Sequence, residues 1–336
     1  MSAAERRRRL RLALILLLLG AAGLLAGLMA GSEGWDLAAL RLSPGGELIL
    51  WDIRAPRSLG AGLVGALFGL SGALAQGLFR NPLADPYLLG SAAGASLGVV
   101  IVLAAGGLLG AAIPMAGADL IQRLGLVGAA FVGALAGVSA TLALARGAEQ
   151  TTRLLLAGVV VGVLLGALND LVTLFSPDAL RGKQSFLLGQ TGLLGWPSVT
   201  VLALSLTATL PLAWRLSRVL DALALGEDSA RSLGLALPRL RVALVVLMAL
   251  ATGTAVAQAG LVAFVGLVAP HLVARFVRAP HGYRLVASAA MGGVLLLWAD
   301  VIARSVIAPQ ELPVGVFTAV LGGCYLLVLL WRRGLR

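Results

Sequence analysis

Arg80-Asn81-Pro82-Leu83-Ala84-Asp85-Pro86-Tyr87-Leu88-Leu89-Gly90-Ser91-Ala92-Ala93-Gly94-Ala95-Ser96-Leu97-Gly98 is the stretch whose reading decides the fold. Two prolines, an Asn and an Asp separate the long apolar runs on either side. Proline has no N–H to give a helix and drives the preceding residue out of helical backbone, so no helix continues through Pro82 and Pro86. Beyond them Gly90, Gly94 and Gly98 recur at every fourth residue, laying a stripe of small residues along the next helix. Such a stripe lets two helices approach closely, as helices embedded in lipid do.

The surrounding chain has the composition of a membrane protein. Its 336 residues are 59% hydrophobic and 12% charged, with a mean hydropathy of +0.98. Soluble domains carry about 25% charged residues, so a soluble globule is excluded. An apolar run of about 18 residues spans a bilayer core as a helix. Such spans are expected near 10–30, 56–78, 87–110, 124–145, 152–175, 197–215, 240–259, 262–277, 284–303 and 313–331. The expected fold is an all-α polytopic membrane protein of about ten transmembrane helices, one membrane domain over 1–336. The eighth span is short and holds Pro270 and His271, so a regular full crossing is not expected there. Arg6–Arg9 followed by Leu10–Ala30 has the layout of a signal peptide. Its apolar stretch exceeds the usual 7–15 residues, however, and it reads as a retained first helix. The single Cys324 lies in the last apolar run and excludes a disulfide within one chain.

The net charge of +11 would suggest nucleic acid in a soluble protein. In a membrane protein it reflects basic cytoplasmic loops. With the N-terminus inside, 19 of the 26 Lys and Arg fall on inner loops and ends. The outer side keeps Arg41, Arg54, Arg57, Arg123, Arg181, Lys183 and Arg304. Ten spans with both termini cytoplasmic give this asymmetry; one span more or fewer reverses the later loops.

An internal repeat is also legible. Pro56-Arg57 opens one helix that closes on Ala73-Leu74-Ala75-Gln76, and Pro238-Arg239 opens another that closes on Ala255-Val256-Ala257-Gln258. Proline and glutamine are 20 residues apart in both, at a constant offset of 182. As second and seventh helices the two cross in opposite senses. That makes an inverted repeat of helices 2–5 and 7–10, over about 56–176 and 238–331, a plan used by transporters. Accidental alignment of Ala/Gly/Leu-rich helices is the alternative.

Catalytic chemistry finds no support. There is no Cys/His metal spacing, no nucleophile elbow and no P-loop. The sole lysine stands in Gly182-Lys183-Gln184, without the preceding glycine spacing. If ATP drives the protein, another polypeptide hydrolyses it. The longest inner loop contains Gly226–Gly234, which brackets a short helix opened by Glu227 and Asp228, acids suited to a helix N-terminus. A short helix there is either a solvated connector or a docking element. On the outer side, Arg54, Arg57 and Arg304 oppose the general charge trend and either snorkel or bind a partner. Asn169 and Asp170 fall within the fifth span, where a carboxylate faces a cavity or a partner. Asp300 and Arg304, four apart, are placed to pair on one helix face.

Five stretches together closely resemble the FecCD/BtuC-like permeases, the membrane subunits of ABC importers for cobalamin, haem and ferric siderophores. They are Arg54-Ala-Pro-Arg57, Arg80–Gly98, Gly226–Gly234, Gly260–Leu272 and Leu312–Thr318. The resemblance implies a homodimeric permease fed by a periplasmic binding protein in a bacterial inner membrane. It implies an ATPase contact by Glu227, Asp228, Ser229, Ala230, Arg231, Leu233 and Gly234 within a coupling loop at 217–240. It implies that Arg54, Arg57 and Arg304 receive acidic residues of the binding protein. Helices five and ten would line the path, through Asn169, Asp170, Val314 and Thr318. Asn81, Pro82, Asp85, Pro86, Gly90, Gly94, Pro270 and His271 carry the structural signatures, with His271 a packing residue and no metal ligand. No cofactor is expected in this chain, ATP and Mg belonging to the partner ATPase. The competing reading is a proton-coupled secondary transporter with inverted repeats, in which Asp170 would serve. The junctions at 80–98 and 260–272 are expected as hinge-like breaks on opposite sides of the membrane.

Overall fold

The structure is a computed structural model that describes residues 3–31, 34–35, 45–109, 118–145 and 151–334. Of the basic residues that orient the chain, Arg41, Arg146 and Arg336 lie outside the described residues. The first helix, α1 (Ala3–Met29), leads into a small antiparallel pairing of Ala30–Gly31 with Gly34–Trp35. Gly46–Leu48 and a π-helical run Ile49–Arg54 pass directly into α2 (Ala55–Phe79), with Pro56 in its first turn. Then follow α3 (Ser91–Leu109), α4 (Ala118–Leu144), α5 (Thr151–Leu174), α6 (Pro177–Leu188) and α7 (Trp196–Arg215). Two short helices, α8 (Ser217–Ala224) and α9 (Glu227–Ser232), precede α10 (Leu237–Ala259). The chain ends with α11 (Val265–Phe276), α12 (His281–Ser305) and α13 (Val314–Gly334).

Seven helices, counting the run into α2 as one, are long and apolar enough to cross a membrane, and Ser91–Gly106, Val265–Phe276 and Val314–Leu329 are shorter apolar helices. Together they occupy the ten expected spans. Two helices were not anticipated, α6 and α8, both in what reads as loop; α6 is the longer. Its start is nonetheless written locally. Ser176 caps it by accepting the Ala179 N–H at 3.3 Å, Pro177 fills the first turn, and Gly189 ends it at positive φ.

The deciding stretch folds as its residues dictate. α2 stops at Phe79, Arg80 turns left-handed (φ 49°), and its N–H returns to the Gln76 carbonyl. Asn81 accepts the Leu83 N–H at 2.9 Å, which sets the turn. Asp85 caps a 3₁₀ turn, Pro86–Leu89, by accepting the Tyr87 N–H at 2.8 Å. Burial raises the Asp85 carboxyl pKa, opposed by that backbone bond. Gly90 closes the turn at φ 78°. Beyond it the glycine stripe does what small residues permit. A Cβ on Gly94 would overlap the Gly133 carbonyl of α4, and one on Gly98 the Ala129 carbonyl.

α2 is the hub of the bundle, buried along nearly its whole length against α12, α10, α11 and α7. Against α12, Gly65 and Gly69 face Ser288 and Gly292 backbone to backbone. The eighth span is α11, twelve residues and therefore about 18 Å long, too short for a core of about 30 Å. Pro270 stands inside it rather than breaking it. The carbonyl it leaves without a helical donor, that of Gly266, lies against Gly72 of α2, where no side chain would fit. The irregular Gly260–Phe264 segment before α11 is largely buried, the condition under which non-helical backbone survives at membrane depth.

The two broken junctions start at opposite ends of the bundle, Arg80 beside Glu227 and Gly260 against Gly189, two residues before the Thr191 that bonds Asp300. The Tyr87 hydroxyl donates to the Val262 carbonyl at 3.1 Å and lies 3.3 Å from the Val262 N–H. Gln76 Nε2 donates to the Leu267 carbonyl at 3.0 Å. Both breaks nonetheless meet inside the protein, where α2 and the first break supply polar side chains to the unpaired backbone of the second.

Candidate functional site

Charged groups gather at two ends of the bundle. At one, Asp300 of α12 is wholly buried. Its Oδ1 accepts from Nε and Nη2 of Arg57, both at 3.1 Å, and from Thr191 Oγ1 at 2.5 Å. Its Oδ2 accepts from Arg304 Nη2 at 2.5 Å, the expected i,i+4 pair. Arg57 Nη1 reaches Glu311 at 2.8 Å, and Arg304 also donates to the Gly27 carbonyl and Ser58 Oγ, each at 3.1 Å. Two arginines and two carboxylates thus balance, joining α1, α2, α12 and the segments before α7 and α13.

This arrangement corrects one expectation. Arg304 is only 2% exposed and bonded through both Nη atoms, so it is no docking residue; its partner one turn back on α12 holds it inward. Arg57 is mostly buried as well, and the rim outside it is the half-exposed Glu311. Arg54 donates Nη1 to the carbonyls of Leu28 and Met29 at 2.9 and 3.0 Å, clasping the end of α1. Glu311 and Thr191 went unrecognised as members of this cluster, since neither has local spacing to any partner.

At the other end the coupling residues divide into anchors and a displayed face. Glu227 bonds Arg241 Nη2 at 2.6 Å and lies 3.8 Å from Arg80 and 3.9 Å from Arg231. Ala230 is fully buried. These two hold α9 down, while Asp228, Ser229, Arg231, Leu233 and Gly234 are exposed. α8 beneath it is strongly amphipathic, burying Val219, Leu220 and Leu223. Asp221 ties it to α12 by accepting the His281 N–H at 3.0 Å and meeting His281 Nδ1 at 2.7 Å. Arg80, the first residue of the deciding stretch, thereby joins the coupling region.

The four path candidates separate in the structure. Asp170 is 73% exposed and pairs with Lys183 of α6. Asn169, its neighbour, points the other way: it is 4% exposed and donates Nδ2 to Ser96 Oγ of α3 at 2.7 Å. Successive helical residues differ by about 100° in direction, so one cannot line a path beside the other. Val314 is buried, and Thr318 is buried with its hydroxyl donating to the Gly315 carbonyl. Asn169 and Val314 are therefore packing residues of the protomer. Thr318 borders a cavity of about 230 Å³ whose other walls include Phe264, Leu272, Leu321 and Tyr325. His271 packs edge-on against Tyr325, ring centroids 5.8 Å apart. Among the described residues no group of His, Cys, Asp or Glu could hold a metal.

Residues 12–332 match the FecCD transport family. The chain belongs to that family. It is 38% identical over 331 residues to the vitamin B12 import system permease protein BtuC of Escherichia coli O6:H1, covering 98% of each. It is 38% identical over 289 residues to the hemin transport system permease protein HmuU of Yersinia pestis, covering 84% of each. A solved inward-facing structure of a metal-chelate type ABC transporter superposes with a TM-score of 0.80 at 26% identity, covering 94% of this chain and 97% of that one. The FecCD assignment fits a chain with ten apolar helices and neither a P-loop nor, among the described residues, a metal cluster.

Proposed function

We propose that this chain is the permease subunit of a type II ABC importer. Two copies form the channel, and a periplasmic binding protein delivers a metal chelate: a ferric siderophore, haem or cobalamin. A separate ATPase dimer binds ATP and Mg and grips the coupling loops from the cytoplasm. Both termini lie on the cytoplasmic side of a bacterial inner membrane, and the halves at about 56–176 and 238–331 form the inverted repeat.

The observation that carries this reading is the construction of α9. A six-residue helix pinned by Glu227 and Ala230 presents Asp228, Ser229, Arg231, Leu233 and Gly234 to solvent. Rigid anchoring transmits a push on that face to α10 through Arg241 and to the end of α2 through Arg80. The relatives support the substrate class, one being a vitamin B12 permease and one a hemin permease. The binding protein's acidic residues meet the outer rim at Arg54 and Arg57, with Glu311 giving way. Asp170 stands in the open and is paired with Lys183, a structural ion pair that favours the importer over proton-coupled transport.

Reconstitution tests the reading. Uptake of a chelate should need the ATPase subunit, the binding protein and ATP together. Uptake by the chain alone under a pH gradient would overturn it.

A further inference from the structure

We propose that the first turns of α1 and the α11–α12 junction form a binding surface for the headgroups of anionic phospholipids. α1 begins with Arg6, Arg7, Arg8, Arg9 and Arg11, opposed within the helix by Glu5 alone. Arg6, Arg7 and Arg8 are exposed. Arg9 fixes the position of the group: its guanidinium lies over the Tyr283 ring, 5.3 Å from the centroid, and the Tyr283 hydroxyl donates to its carbonyl at 3.0 Å. Leu12 and Leu16 join Val273, Val277 and Met291 in one buried cluster, docking α1 on α11 and α12. The same end of those helices adds Arg275 and Arg278, both exposed.

The occupant follows from what continues beyond the arginines. α1 lies at the perimeter of the bundle, packed chiefly on α12, and its free side exposes Leu10, Leu14, Leu17 and Leu18. In a bilayer that side meets acyl chains, and the headgroups of the same lipids then meet the arginines. Basic clusters next to a membrane helix attract anionic lipids, and a planar guanidinium pairs phosphate oxygens two at a time. The ATPase-facing helix α9 packs on α8 and is tied to α10 by Glu227 and Arg241. The inference rests on the orientation with the N-terminus inside, and its failure leaves the importer reading standing.

The test uses the full chain purified in non-ionic detergent and titrated with phosphatidylglycerol, with phosphatidylcholine as the neutral control, bound lipid being counted by native mass spectrometry. Phosphatidylglycerol should bind preferentially. Each arginine removed should weaken it about fivefold, so R7Q/R8Q should weaken it about 30-fold, R7K/R8K much less, and phosphatidylcholine should bind equally to all three chains. Raising the salt concentration should release phosphatidylglycerol from the unsubstituted chain, an arm that needs no variant to fold. Unchanged binding by R7Q/R8Q, equal loss of both lipids, or displacement by inorganic phosphate alone would overturn the proposal. So would loss of the ATPase subunit from R7Q/R8Q complexes with lipid binding intact.

Discussion

The clusters around Asp300 and Glu227 use the same device and arrive at different ends. Each gathers arginines from distant segments on one carboxylate. Asp300 is wholly buried, and its network is neutral, with Arg57 and Arg304 set against Asp300 and Glu311. Glu227 is 27% exposed and, among the described residues, meets three arginines, two of them exposed themselves. A buried network admits no new partner without breaking, whereas an exposed one can be reached by a partner from solvent. The first is built to hold helices together and the second to be touched.

The widest separation between them should appear on removing the carboxylates. Asp300→Ala leaves two buried guanidiniums without the carboxylate they share, a loss of about 3–5 kcal/mol. Thermal unfolding in detergent should show the variant largely unfolded or strongly destabilised. Replacing the set together (Arg57→Met, Asp300→Leu, Arg304→Met) should recover much of the loss, because apolar groups need no partner. Equal stability of Asp300→Ala and the unsubstituted chain would remove the structural role.

The uncharged crossing between the two clusters comes next. Gly292→Val puts a branched side chain into the backbone of Gly65 and Gly69, which has no flexible end to give way. Overpacking of this kind costs about 1–3 kcal/mol. The same unfolding measurement should rank it below Asp300→Ala.

Glu227→Ala should cost less, about 1 kcal/mol, since solvent screens the freed arginines. Its effect on coupling should exceed its effect on stability. Binding-protein-stimulated ATP hydrolysis by the assembled importer should fall sharply while the melting curve moves little. A variant losing stability and coupling in proportion would mean that α9 is only a structural connector.

These differences also mark how far the sequence could be read. The ten spans, the break after Phe79, the start of α9 at Glu227 and the Asp300–Arg304 pair were all local in sequence, set by apolar run length, proline, glycine and helical spacing. What escaped was direction and distance. Asn169 and Asp170 are neighbours in sequence, but one helical step turns one into the protein and the other out. Arg241 reaches Glu227 across 14 residues, and Thr191 reaches Asp300 across 109, separations that no periodicity records. Arg304 looked outward because it lies at the outer end of its span, yet Asp300 one turn earlier had already claimed it. The junctions start at opposite ends, as helices of opposite sense require, and their inner meeting through Tyr87 and Val262 escaped because α11 starts deep inside the bundle beside α2.

The smallest effect is expected at the third charged pair, Asp170 with Lys183, which resembles neither cluster. It holds α6 to α5 with one contact, and Asp170 stands largely in the open. A double-mutant cycle with Asp170→Asn and Lys183→Met should give a coupling of about 0.5 kcal/mol or less, the usual size for an exposed pair. The cycle should be run on the assembled importer as well as the separated chain. If both copies bring α5 and α6 to a shared channel, closing that channel desolvates the pair, and the coupling should rise on assembly. ATP-driven uptake by Asp170→Asn should stay within a few-fold of the unsubstituted importer, because the pair with Lys183 is a single exposed structural contact. Complete loss of uptake with assembly and ATP hydrolysis intact would instead make Asp170 part of the transport chemistry and give the proton-coupled reading its first support.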